Sequence, residues 1–254
     1  MSLANKTAII TGGAKGIGAA CAELFHDQGA NVAILDIEAF KGGRPPGGRW
    51  LELRCDVSSG EHVRAAAEQV RREFGGLDLL VNNAGIQRYG TVTETPEETW
   101  DEVMNVNLKS LFLCARHVIP YMQERKKGVI INIASVQAFI SQKNVAAYTT
   151  AKSAILGLTR SIAVDYAPEI RCVAVCPGTI DTPMLRESIA LSPDPGEVLQ
   201  ECMDMHLLKR IGTAEEVAEL VAFLCSDKAA FITGQAIRID GGLGISIPGS
   251  KRDQ

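Results

Sequence analysis

The sequence has no excess of positive charge: 26 Lys+Arg stand against 30 Asp+Glu, a formal net charge of −4. A protein that grips nucleic acid through its phosphates needs a basic surface to displace counterions, so no nucleic-acid partner is expected. No run of about 18 or more apolar residues occurs, which excludes a spanning helix and a membrane partner of that kind. The opening MSLANKTAIITGG holds an apolar stretch too short for a secretory leader, and the chain is read as cytoplasmic. No CxxC pair is present. The seven cysteines (Cys21, Cys55, Cys114, Cys172, Cys176, Cys202 and Cys225) are odd in number and mostly lie inside apolar segments. Reduced, buried thiols are expected, with neither a disulfide frame nor a metal site. Aromatic residues make up only 5% of the chain, too few to expect a greasy wall around a steroid-like ligand. No internal repeat and no domain linker interrupts the 254 residues.

What is present is alternation. Short β-branched runs at Thr7–Thr11, Asn31–Asp36, Trp50–Asp56, Leu79–Asn82, Val129–Ala134, Ile170–Cys176 and Ala236–Asp240 read as strands, several apolar throughout as strands covered on both faces should be. Helical periodicity fills the gaps at Gly16–Gln28, Glu61–Phe74, Pro96–Lys126, Val145–Tyr166 and Ala214–Cys225. Thr95-Pro96-Glu97-Glu98 and Thr213-Ala214-Glu215-Glu216 have the form of capping boxes, the first with Pro at the first helical position. Strand–helix–strand repetition predicts an α/β fold with a parallel, doubly wound sheet. Two stretches break the rhythm. Lys41–Arg49 (KGGRPPGGR) is too rich in Gly and Pro for a helix. Residues 183–208, containing SPDPG, form a long insertion before the last helix and are expected to be a substrate lid.

The first strand runs into Thr11-Gly12-Gly13-Ala14-Lys15-Gly16-Ile17-Gly18. Gly12 suits a tight turn, Gly16 lets a pyrophosphate approach the backbone, and Gly18 permits close helix–strand packing, with the helix N-terminus facing the anion. A glycine triplet alone often marks only a turn, but this one closes a strand pattern and opens a helical one, as a dinucleotide site requires. Lys15 and Ile17 belong to the same cofactor-binding turn. Asp36 ends the second strand, within about 20 residues of the turn. A carboxylate there accepts hydrogen bonds from the adenosine ribose and repels a 2′-phosphate, which selects NAD over NADP; a strand-end Asp that merely caps a turn is the plainer alternative. Lys15 pulls the other way by attracting a 2′-phosphate, yet a flexible lysine can swing aside while the Asp36 charge stays in place.

Tyr148 and Lys152, four residues apart on a helical pattern, share one face. Free tyrosine, with a pKa near ~10, is a poor base at neutral pH. A neighbouring ammonium and the positive ring of an oxidised nicotinamide both favour the phenolate. Tyr-x-x-x-Lys by itself is more often a surface pair, and its surroundings give it weight. Ser135 follows Val129–Ala134 at the carboxyl end of the strand, where open α/β sheets place their ligand crevice, so its hydroxyl can hold a substrate oxygen beside the phenol. Asn107 stands in an apolar helical run, a poor place for an amide, and predicts a backbone kink or an ordered water. Asn82-Asn83-Ala84-Gly85 is a small, polar turn past which a cofactor can run close to the backbone.

Taken in order, TGGAKGIG, NNAG, Asn107, Ser135, YTTAK, PGTIDTP and a terminal IDGG resemble the short-chain dehydrogenase/reductase family over nearly the whole chain. The resemblance implies one Rossmann-type domain over 1–254, three-layer α/β/α, that works as an NAD(P)-dependent oxidoreductase on CH–OH donors. It implies that Tyr148 is the general acid/base, that Lys152 lowers its pKa and binds the nicotinamide ribose, that Ser135 orients the substrate oxygen, and that Asn107 supports a water-mediated proton relay. Pro177, Gly178 and Thr182 should contact the nicotinamide with Ile180 nearby, Asp56 and Val57 should bracket the adenine, and Asn83, Ala84 and Gly85 should line the cofactor groove. Family members of this length are usually homotetramers that pair their long helices, here 96–126 and 145–166. Lys41–Arg49 departs from the family by replacing an expected helix, which shortens the adenosine-side wall and weakens the inference of NAD. The longer relatives that act on nucleotide sugars fit less well, having a C-terminal substrate domain and different glycine spacing.

The residues expected around the pocket are Gln87, Arg88, Gln137, Gln142, Asn144, Arg186 and His206, a set rich in amides with two guanidinium groups. Arginine can hold a carboxylate bidentately, and VCPGTIDTPML is similar to a run in some hydroxy-acid and sugar-acid dehydrogenases. A small polar hydroxy compound (a sugar, sugar acid or hydroxy acid) is therefore expected as substrate, although for each arginine a solvated surface cation is the plainer reading. His206 reads as a lid or interface residue rather than a base, and Trp50 and Trp100 as packing residues. The alternatives are a non-catalytic nicotinamide-binding sensor or scaffold, which the intact set of Asn107, Ser135, Tyr148 and Lys152 argues against, and an NADP-dependent ketoreductase.

Overall fold

The computed structural model describes residues 2–40, 42–43 and 49–245. Along them run β1 (Thr7–Thr11), α1 (Gly16–Asp27), β2 (Asn31–Asp36), β3 (Trp50–Arg54), α2 (Gly60–Phe74), β4 (Leu79–Asn82), α3 (Glu97–Met104), α4 (Ser110–Glu124), β5 (Gly128–Ile133), α5 (Ala146–Tyr166), β6 (Ile170–Pro177), α6 (Pro183–Ile189), α7 (Pro195–Met205), α8 (Ala214–Cys225) and β7 (Ala236–Ile239). Among the described residues these strands form one parallel sheet in the order β3-β2-β1-β4-β5-β6-β7. The order reverses between β1 and β4, so helices leave to opposite faces there and a crevice opens at the carboxyl ends.

Alternation along each strand makes the layers. Ala8 and Ile10 of β1 and Val32 and Ile34 of β2 belong to the core shared with α1 and α8. Ile9, Ala33 and Leu35 point the other way, into a second core with α2 and α4. Both faces are covered, which is why the strands are apolar along their length. All seven cysteines are free; six are buried and Cys202 is partly so. Among the described residues no helix is long and apolar enough to cross a membrane.

Three expectations need correction. The helix expected over 96–126 is not one helix: α3 and α4 are separated by a π-helical turn, Asn105–Lys109. The apolar periodicity continues through this turn, and only the amide of Asn107 within it marks the irregularity. Thr95 does not head a capping box. Pro96 occupies the cap position with extended ψ (148°), and the Thr95 hydroxyl instead donates to the Thr91 carbonyl at 2.6 Å. Strand ends also shift, with β3 stopping at Arg54 and β6 running on to Pro177. The second box is formed as expected, Thr213 and Glu216 each accepting from the other's backbone N–H, an arrangement that contributes about 1 kcal/mol. The insertion holds α6 and α7, the latter capped by Asp194. Most of the irregular segment Lys41–Arg49 lies outside the described residues; Gly42, Gly43 and Arg49 are described, and none is helical.

Candidate active site

The glycine-rich turn sits at the switch point of the sheet. Gly12 takes φ +61°, and a Cβ there would lie 2.7 Å from Ala84 Cα, so β1 and β4 meet too closely for any side chain. Asn83 ties the turn shut: its amide donates to the carbonyls of Thr11 (3.1 Å) and Gly12 (2.9 Å). The backbone N–H groups of Asn83 and Ala84 donate to Thr11 Oγ1 at 3.0 and 3.1 Å. Gly18 packs against the Gly12 carbonyl, as expected. Helix α1 then begins at Gly16 with no side-chain cap and no acid in its first turn, whereas side chains cap α2, α7 and α8. Its first N–H groups and the positive end of its dipole are left for an anion. Across from Gly16 stands Thr182 of the loop after β6, which caps α6 through Leu185 N–H. Ile180 of that loop is buried in the core shared with α1 and α8. A backbone cradle of this kind, with a carboxylate at the end of β2, fits a dinucleotide.

Two charges bear on which dinucleotide. Asp36 is held at the rim by Ala14 N–H (2.9 Å) and Glu38 N–H (3.0 Å). The Lys15 ammonium is bound to Glu38 at 2.7 Å and has Glu187 at 3.9 Å, and the Glu38 hydrogen bond raises its pKa. Asp56 turns back to the backbone N–H and hydroxyl of Ser58 (2.9 and 2.7 Å), which lower its pKa, while Val57 is buried.

The catalytic candidates converge at the carboxyl end of β5. Lys152 is buried, its Nζ donating to the Ile133 carbonyl at 2.9 Å and lying 5.6 Å from the centre of the Tyr148 ring. Ser135 stands beside Tyr148, where its hydroxyl favours the phenolate, and its Oγ accepts from Gln137 N–H at 3.1 Å. Asn107 is buried in the π-turn Asn105–Lys109. It binds the backbone of Ile86 on both sides, accepting its N–H (2.7 Å) and donating to its carbonyl (2.8 Å), beside Gly85. The surrounding protein pushes the Tyr148 phenol up to about 12, because desolvation outweighs the opposing influence of the Ser135 hydroxyl. Burial also pushes Lys152 down to about 8. Packing against protein thus disfavours the charged form of both groups.

On the substrate side neither arginine offers a free cation. Arg88 grips Glu102 with two nitrogens (3.0 and 2.8 Å) and also bonds the Gln87 carbonyl. Arg186, 74% exposed, grips Asp181 at 2.8 Å twice. Both arginines of the expected carboxylate clamp stand paired with a surface carboxylate, Glu102 and Asp181. Neutral groups around Ser135 and the start of α5 form a network: Gln137 bonds Gln142 (3.1 Å), Thr149 donates to Gln137 (3.3 Å), and Ser141 and Thr149 share a bond (3.1 Å). Asn144 is exposed with φ 61°, its carbonyl accepting from Gly90 N–H at 2.7 Å. Tyr89, on the loop after β4, is hydrogen-bonded to Ser188 of α6. His206 is buried against Gly178, away from this set. Trp50 packs on Phe40 and His26, and Trp100 against the cluster of Val103, Ala147 and Ala151.

Sequence reasoning missed a polar ladder beneath the site. Asn82 donates to Asn132 (2.9 Å), Asn132 to Thr159 (3.0 Å), and Thr159 to the Ile155 carbonyl (2.8 Å), linking β4, β5 and α5. The available signal was an asparagine inside each of two apolar strands, where a buried amide needs partners.

A family profile described as "Enoyl-(Acyl carrier protein) reductase" matches residues 12–244. "Dehydrogenase/reductase SDR family member 6" of Aquarana catesbeiana is 40% identical over 243 residues, 94% of this chain and 98% of that protein. "2-(R)-hydroxypropyl-CoM dehydrogenase" of Xanthobacter autotrophicus is 40% identical over 248 residues, 93% and 98% of the two chains. The ligand-free structure of Thermoplasma acidophilum aldohexose dehydrogenase superposes with a TM-score of 0.92 at 42% identity, covering 98% of each chain.

Proposed function

The chain belongs to the short-chain dehydrogenase/reductase family, and from that premise we propose that it is an NAD-dependent dehydrogenase oxidising CH–OH in small, polar, uncharged hydroxy compounds of the sugar type. One observation carries the reading: a phenol beside a serine hydroxyl, with a buried ammonium held 5.6 Å from the ring centre by its bond to the Ile133 carbonyl. In oxidation, Ser135 holds the substrate hydroxyl and Tyr148 takes its proton. The bound dinucleotide supplies the hydride acceptor and, when oxidised, a positive charge that favours the phenolate. Lys152 places its charge by the phenol in a medium that screens little, and with a pKa near 8 it can pass a proton onward. Asn107 holds the Ile86 backbone against the site.

Asp36 supports NAD, since its charge stands where a 2′-phosphate would go and Lys15 is engaged by Glu38. The amide and hydroxyl network of Gln137, Gln142, Ser141 and Thr149 suits a polyhydroxy substrate, as does the likeness to an aldohexose dehydrogenase. Residues 183–208 serve as the lid, supported by the Tyr89–Ser188 contact. A cytoplasmic homotetramer is part of the same reading; Phe112 of α4 and Val164 of α5 leave apolar surface on the long helices. Tyr148→Phe tests the assignment: dinucleotide binding is retained and turnover with sugars falls roughly 10²- to 10⁴-fold. Unchanged turnover would refute it.

A further inference from the structure

One buried side chain near the loop after β6 has no part in this chemistry. His206, the residue following α7, is 2% exposed. Its Nε2 accepts from the Thr179 backbone N–H at 3.2 Å. Its Nδ1, 2.7 Å from the Cys202 carbonyl, must then carry the proton and donate. The ring is wedged in place: a Cβ on Gly178 would come within 2.9 Å of Nε2, and one on Gly241 within 3.2 Å of Cδ2. Leu208 N–H adds a bond to the Gly241 carbonyl at 3.2 Å. Thr179 lies between Gly178 and Ile180, in the loop assigned to the nicotinamide. The insertion leaves this loop at Thr182, the cap of α6, and returns to it at His206.

We propose that His206 is a positioning residue that sets the nicotinamide loop through Thr179 and couples it to α7 of the insertion. It touches neither cofactor nor substrate. Without the acceptor at Nε2, the Thr179 N–H loses its protein partner at a partly buried position, and the loop shifts toward another partner or solvent. The loss then falls on the nicotinamide half of the dinucleotide and leaves the adenosine half, held by α1 and Asp36, as it was. The inference rests on the dehydrogenase reading above.

Two variants separate the two bonds of the ring. His206→Gln places an amide oxygen near Nε2, keeping the acceptor for Thr179; His206→Asn keeps a donor near Nδ1 but falls short of Thr179. Calorimetric titration with NAD and with ADP-ribose, which lacks the nicotinamide, reads the effect. H206N should bind NAD roughly five- to tenfold more weakly with ADP-ribose affinity unchanged, and H206Q should stay near wild type. Equal NAD affinities in the two variants, or parallel losses of NAD and ADP-ribose, overturn the inference while leaving the dehydrogenase reading intact. Wild-type protein that binds neither ligand overturns both. Imidazole ¹⁵N shifts of the wild-type protein need no variant to fold: protonated Nδ1 with bare Nε2 is expected at neutral pH, and a protonated Nε2 overturns the proposal.

Discussion

Replacing Lys152 with Met should stabilise the protein while abolishing the proposed chemistry. Burial lowers the Lys152 pKa from 10.5 to about 8. At about 1.4 kcal/mol per pH unit, that gap is a penalty of about 3 kcal/mol on folding with the charged amine. Its pH window follows from the direction. The folded amine loses its proton near 8 and the unfolded one near 10.5, so between these values the unfolded state binds more protons and stability rises with pH. Below 8 both states are charged and the full penalty stands; above 10.5 both are neutral and it has gone. Methionine fills most of the aliphatic stem but leaves the Ile133 carbonyl without its 2.9 Å donor, an offset of about 1 kcal/mol. The balance at neutral pH is about 2 kcal/mol in favour of the variant, or about 4–8 °C in Tm for a chain of this size. Urea or thermal unfolding of both proteins without dinucleotide, at neutral pH and again near pH 9.5, measures it. The advantage of K152M should shrink at the higher pH, and turnover should be lost at both. A variant less stable than wild type at neutral pH, or a difference that ignores pH, would show that the buried ammonium carries no such penalty.

Asp36→Ala removes the charge expected to repel a 2′-phosphate, so the ratio of kcat/KM for NAD over NADP should fall roughly tenfold or more; a wild type that already prefers NADP refutes the premise. Arg88→Ala and Arg186→Ala each break an ion pair at the surface, where such pairs contribute little, so KM for sugar substrates and Tm should barely move. A rise in KM confined to acidic substrates would restore the carboxylate clamp that the pairing with Glu102 and Asp181 argues against.

The sequence carries the fold wherever a local rule and a tertiary need coincide. Gly12 and Gly18 are readable because a turn and a close approach both demand glycine, and β1, β2 and β4 are readable because strands covered on both faces are apolar throughout. Asn107 is readable as a conflict: an amide in an apolar helix announces a break, and the π-turn is that break. Thr95 shows the limit of local signatures. Its box has the right letters, but the extended backbone of Pro96 moves the helix start one residue on, and nothing nearby encodes that. Partners distant in the chain are harder still. Glu102 lies fourteen residues from Arg88, and Thr179 twenty-seven from His206, so neither the neutralised guanidinium nor the wedged imidazole can be foreseen from spacing. The direction of the Tyr148 shift is hidden for the same reason, since it depends on how much protein surrounds the hydroxyl.

The polar ladder explains how so apolar a sheet can hold the reacting groups in register. Tyr148, Lys152, Ile155, Thr159 and Ile162 recur at helical spacing, a single stripe of α5 turned toward the sheet. Apolar packing favours burying such a stripe but has little directional preference of its own. A slip of one residue would rotate the helix by about 100° and carry the phenol and the ammonium away from Ser135 and Ile133. Thr159 forbids that slip, because its hydroxyl is the acceptor for Asn132 and a buried amide without a partner costs about 1–3 kcal/mol. Asn132 is fixed in turn by Asn82, the last residue of β4, whose successor Asn83 closes the glycine turn. One chain of directional bonds therefore runs from α5 through β5 and β4 to the glycine-rich turn, and the spacing between the Tyr148 phenol and that turn is set by hydrogen bonds that tolerate no change of register.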